Sequence, residues 1–141
     1  MKVGNLFLFA AGFALILATV PLRAHHAFAA EYDADKPITL TGTVTKLEWL
    51  NPHARIYIDV KDESGKVVNW DCELGPPNGL MRRGWNRNSV KAGLVVTITG
   101  FRSKLSPTNA NARTVKLPDG RQVFAGSSFD IGPASEGQGE K

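Results

Sequence analysis

Residues 38–50, ITLTGTVTKLEWL, alternate apolar and polar positions with one defect. Ile38, Leu40, Gly42 and Val44 fall on even numbers, whereas Leu47 and Trp49 fall on odd ones. Period-two alternation marks a half-buried strand, and a one-residue slip inside it is how a β-bulge appears in sequence. The pattern predicts a long first strand that bends near Thr45 and Lys46. ARIYIDV then places Ile56, Ile58 and Val60 on one face, and the polar, glycine-containing KDESGK leads into VVNWDCEL, where Val68, Trp70, Cys72 and Leu74 share a face. These three strands read as a meander. Residues 75–93 are too rich in Gly and Pro for a strand, and Asn78 is placed to start a short helix carrying Leu80, Met81 and Trp85. LVVTITGF reads as a fourth strand, and ARTVKL, the turn PDG and RQVFAG as a closing hairpin.

Three strands, one short helix and two or more further strands suggest an all-β domain, a small OB-like bent barrel of five to six strands whose first strand serves both halves. An open sandwich is the alternative. The glycine- and serine-rich residues 126–141 lack apolar periodicity and are expected to form a disordered tail.

Ahead of the strands, Lys2 and the apolar run LFLFAAGFALILATV, closed by Pro21, have the form of a secretory signal peptide. The run is shorter than the ~20 apolar residues that span a bilayer, so no membrane span is expected after cleavage. Cleavage after Ala24, close to the end of the run, makes residues 1–24 the signal peptide, 25–125 a single β-barrel domain, and His25 the first mature residue; cleavage after Ala29 would discard both His25 and His26. The expected location is the periplasm or the extracellular space.

Loss of Lys2 and Arg23 with the signal leaves 15 basic residues against 13 acidic ones in the mature chain. A nucleic-acid binder would carry a concentrated basic stripe; here the one local cluster is MRRGWNR, so no nucleic-acid partner is expected. The lone Cys72 has no partner for an internal disulfide, and the fold must rest on its core. Its place beside Trp70 and Leu74 predicts a small buried hydrophobe.

Four segments, AHHAFAAEYD, GTVTKLEWLNPHARIYIDV, NWDCELGPPNGLMRRGW and LPDGR, together resemble a family of secreted bacterial proteins of unknown function. Mature chains of that family open with His-His-Ser/Ala-Phe and carry Asn-Pro-His between the first two strands. The resemblance implies export and a small barrel, and it carries no catalytic residue over. Ala27 stands where serine is commoner, so it implies no hydroxyl chemistry there.

Side-chain chemistry supplies the functional candidates. A mature His25 offers its α-amine and imidazole Nδ1 to one metal as a six-membered chelate. Nitrogen ligation of this kind suits copper, which also tops the divalent affinity series. His53, fixed after Asn51 and Pro52 at the corner between the first two strands, is the candidate third ligand, and His26 its substitute. The solvated alternative is a polar terminus at His25 and His26 and a turn role for His53. Asp71 and Glu73 share the face of the third strand opposite Cys72, where solvated side chains are expected. A second function class is a non-metal OB-type module that binds an anionic small molecule, a glycan or a partner protein. For it, Trp85 is the residue best placed for exposed stacking, flanked by Arg82 and Arg83, the alternative being that Trp85 caps the barrel. No nucleophile, base and orienting group can be assembled from the sequence, so a binding protein rather than an enzyme is expected.

Overall fold

The computed structural model describes residues 28–126. The expected signal peptide (1–24), His25, His26 and residues 127–141 of the expected tail lie outside the described residues. Residues 28–31 are helical and lead into strand β1 (Tyr32–Glu48), followed by β2 (Arg55–Lys61), β3 (Val67–Glu73), helix α1 (Pro77–Arg82), β4 (Val95–Ser103), β5 (Asn109–Lys116) and β6 (Gln122–Phe124).

The strands hydrogen-bond in the order β3-β2-β1-β4-β5-β6, and a further β3–β5 pairing closes the first five into an uneven ring. All neighbours are antiparallel except β3 and β5, which run parallel over Asp71↔Asn109, Cys72↔Ala110 and Glu73↔Asn111. A long first strand shared by both halves, with a helix between the third and fourth strands, is the OB-like bent barrel expected from the alternation pattern.

The bend falls at the phase slip. Val44 pairs with Ile58 and Lys46 with Tyr57, so Thr45 is the extra residue of a bulge. Its hydroxyl donates to the Tyr57 carbonyl at 3.3 Å. Leu40 and Val44 are buried on one side of the bulge, and Leu47 and Trp49 pack against the same core on the other.

Inside the ring, Ile56, Ile58, Cys72 and Val115 are fully buried. Each large aliphatic side chain so placed contributes roughly 1.5–3 kcal/mol relative to exposure. Burial, with Asp71 nearby, pushes the Cys72 thiol up to about 12, leaving on the order of one thiolate in ten thousand at pH 8. Iodoacetamide should therefore leave native protein unlabelled at that pH and modify Cys72 fully once urea unfolds it. Rapid labelling of native protein would show that β3 opens.

Helix α1 begins one residue before the expected Asn78. Pro76 precedes it in an extended conformation and Pro77 occupies its first turn, with no side-chain cap; the fixed φ of proline suits that position. Leu80 points into the core and Met81 outward. At Gly84, φ of 86° turns the chain, and Trp85 enters the barrel end, where its indole N–H donates to the Phe124 carbonyl at 3.0 Å. With 3 % of its surface exposed, Trp85 has no free face for stacking. The exposed role is corrected to the capping one: closing the barrel end buries the large ring and satisfies its one donor.

β5 starts three residues before the expected ARTVKL stretch, because Asn109–Asn111 pair with β3 through main-chain bonds that need no apolar alternation. β1 likewise reaches back to Tyr32.

Candidate functional site

The corner joining β1 to β2 is pinned to the end of β3. The Ala54 N–H donates to the Gly75 carbonyl at 3.1 Å, and the Leu74 N–H donates to the Ala54 carbonyl at 2.8 Å. Asn51–Pro52, with a cis peptide bond, precedes His53 in this corner. The cross-strand register sets Arg55 opposite Glu73, so three polar side chains converge where β2 begins and β3 ends.

His53 Nδ1 lies 3.0 Å from Glu73 Oε1. Arg55 spans two carboxylates, with Nη2 at 3.0 Å from Glu73 Oε2 and Nη1 at 2.5 Å from Asp71 Oδ2. Tyr32, itself buried, stands near enough to Glu73 for each to shift the other's titration. Glu73 is buried and held between His53 and Arg55, not solvated as its strand phase suggests.

Burial pushes the Glu73 carboxyl above the ordinary carboxylate range, against the pull of His53 and Arg55. Burial, reinforced by the Glu73 and Glu31 carboxylates, also pushes the Tyr32 phenol far above its usual value, so it stays a donor. Farther out on β1 and β2, Glu48 bonds with Lys46 and accepts from the Tyr57 hydroxyl at 3.0 Å. These contacts, the Lys46 ammonium first, hold its carboxyl below the ordinary range.

His53 is the one expected metal ligand among the described residues. With Nδ1 engaged by Glu73, Nε2 is the nitrogen left to a ligand, on a side chain 39 % exposed. Among the described residues no group of three or more His, Cys, Asp or Glu side chains is arranged to hold a metal ion. Any centre on His53 needs donors from outside them.

The other expected binding residues sit elsewhere. Arg83 Nη1 donates to the Gly126 carbonyl at 2.7 Å, and its guanidinium stacks over Phe124 at 4.3 Å from the ring centroid. Arg82 is exposed at the end of α1. Among the described residues no contact joins either arginine to the His53 cluster.

Glu73 enters the site although its strand phase placed it among solvated side chains, and Arg55 joins it. The signal was present: a β2–β3 meander in this register puts Arg55 beside both members of the Asp71/Glu73 pair.

Fold and site together define a small OB-like barrel with a carboxylate-anchored histidine at the corner after its first strand. Residues 14–111 match the model of a protein family, the Family of unknown function (DUF6152), and the chain belongs to that family. The matched stretch contains Tyr32, His53, Arg55, Asp71 and Glu73. None of the curated proteins compared with the chain matches it. Among the described residues no helix is long and apolar enough to cross a membrane.

Proposed function

We propose that this is an exported protein that binds copper through His25, as the amino-terminal residue after signal cleavage, and His53, with His26 as a supplementary donor. The observation that carries the reading is the His53–Glu73 pair. A carboxylate on one imidazole nitrogen fixes the tautomer and turns the other nitrogen outward, as in the carboxylate–histidine pairs behind metal ligands. Glu73 is buried and also held by Arg55, so the orientation of His53 is set before any metal arrives. The α-amine and imidazole of His25 supply the remaining nitrogens. The buried carboxylate beside the site favours a cation over the anion that the alternative binding module calls for, and the enclosed Trp85 gives that module no stacking surface.

Copper titration of exported protein, with intact mass confirming a start at His25, tests this against two variants: one with an added residue ahead of His25, and His53→Ala. Each should weaken binding by more than tenfold, about 1.4 kcal/mol or greater. Affinity unchanged in both, or a mature chain that starts at Ala30, would overturn the reading.

A further inference from the structure

Charge is divided along the chain. Residues 28–73, which build β1, β2 and β3, carry nine acidic side chains and five basic ones, whereas residues 74–118 carry eight basic side chains and no acidic one. The second stretch holds α1, β4 and β5, so the barrel has an acidic part and a basic part.

Half of those basic side chains are already engaged. Arg83 is held by the Gly126 carbonyl and the Phe124 ring, Arg102 lies over Trp70, Lys104 Nζ donates to the Ala29 carbonyl at 2.6 Å, and Arg113 stands near the rings of Phe101 and Phe124. Arg82, Arg87, Lys91 and Lys116 remain. All four are exposed, and among the described residues none of them has a carboxylate partner.

The connection from α1 to β4 sets their place. Trp85 and Val90 are buried and anchor this connection across the barrel end, while the Asn86 N–H donates to Ser89 Oγ at 2.8 Å and shapes the turn between them. The Gly93 N–H donates to the Val44 carbonyl at 2.8 Å and pins the far end to β1. Lys116, opposite Thr97 at the end of β5, adjoins this end of the barrel. Arg121, in the hollow that Gly84, Trp85 and Val90 also line, is neutralised by Asp119 at 2.7 Å. Where the face meets β2, Asp59 has Lys61 beside it. Met81, Leu94 and Val95 are exposed in the same run as the cations.

We infer that the α1–β4 connection, with the end of β5, is a docking surface for an anionic lipid bilayer. Arg82, Arg87, Lys91 and Lys116 meet the headgroup phosphates, and Met81, Leu94 and Val95 enter the boundary with the acyl chains. Peripheral binding joins burial of apolar side chains to attraction for anionic headgroups. A water-soluble polyanion would use the cations and leave the three apolar side chains in water, so their company favours the bilayer. The inference uses none of the His53 cluster and does not rest on the copper reading.

Exported protein, with the apolar run of residues 6–20 removed, is sedimented with vesicles of phosphatidylcholine alone and of equal parts phosphatidylcholine and phosphatidylglycerol. Wild type should bind the anionic vesicles, leave the neutral ones, and be released as salt is raised. Each Lys or Arg near an anionic surface contributes a factor of roughly five, so Arg87→Gln with Lys91→Gln should weaken binding about twentyfold. Met81→Ser with Leu94→Ser should weaken it about tenfold through lost apolar burial. Lys36→Gln with Lys66→Gln removes the same charge from the acidic part and should bind as wild type does. All six substituted side chains are exposed, so the fold is kept.

Equal binding to both kinds of vesicle, binding to neither, or an equal loss in the Lys36 and Lys66 variant overturns the inference. Undiminished binding by the Met81 and Leu94 variant does the same, since it makes any polyanion an equal partner.

Discussion

Gly100→Ala is expected to destabilise the domain by about 3 kcal/mol, at the upper end of the cost of forcing extra atoms into a packed interior. A Cβ at this position would stand 1.8 Å from the Asn111 carbonyl oxygen and 2.9 Å from its carbon, and both are main-chain atoms that no rotamer change can move. The strands approach so closely because the β4–β5 register shifts between Thr99 and Gly100. In a ~100-residue domain the loss corresponds to a fall in melting temperature of roughly 12–24 °C. Gly65→Ala is the control. Gly65 has φ of 84° but nothing within 4 Å of the point where a methyl would stand, so it should cost only the roughly 1–2 kcal/mol of a left-handed backbone. Thermal melts of the two variants side by side check the difference; equal melts would show that β4 and β5 can separate at Gly100 without loss.

Arg55→Met is expected to cost roughly 3 kcal/mol at pH 7, the lower end for removing one partner of a buried ion pair, because the Arg55 side chain is itself one-third exposed and screened accordingly. The methionine keeps the apolar stem and leaves Glu73 and Asp71 without the guanidinium that joins them. The pH dependence identifies the cause. Burial already raises the Glu73 carboxyl in the folded state, and without Arg55 it rises further. A carboxyl whose folded pKa exceeds its unfolded one draws a proton into the native state. The penalty is absent below the unfolded carboxylate range and grows as pH climbs through the folded pKa. The deficit against wild type should therefore shrink between pH 7 and pH 4. Urea midpoints at the two pH values measure it, and an equal deficit at both would assign the loss to packing of the stem.

The elements most legible in the sequence are those whose side chains report burial directly. The even-to-odd slip across Thr45 located the bulge, because only an added residue lets Val44 and Leu47 face one core. Cys72 and Trp70 were readable for the same reason. Legibility fails where the main chain decides. Asn109–Asn111 carry no apolar rhythm, yet they close the ring by main-chain bonds to β3. The site was half-legible: Asn-Pro-His marked the corner, but Glu73, one residue from Cys72, belongs by phase to the outer surface. Its partners His53 and Arg55 stand on the corner and on β2, outside any window along β3. Trp85 shows the converse. Its glycine- and arginine-rich neighbours suggested a surface residue, and the open end of the barrel claimed the indole instead.

The β3–β5 pairing has a consequence for how the chain reaches this structure. β1, β2 and β3 are sequential and antiparallel, so their pairing needs only short loops to close. The seam joins Asp71 to Asn109 across 38 positions, and it is parallel, the orientation that no hairpin can deliver. Closure entropy for such a loop has to be met before its contacts return anything. The β1–β4 pairing bridges a longer stretch still, as at Thr39 opposite Thr99, so the ring needs two long-range closures beyond the β1–β2–β3 meander. The polar cluster around His53 waits for neither, since His53, Arg55, Asp71 and Glu73 all lie in the β1–β2 corner, β2 and β3; residues 109–111 cover the outer edge of β3 and shut the circle.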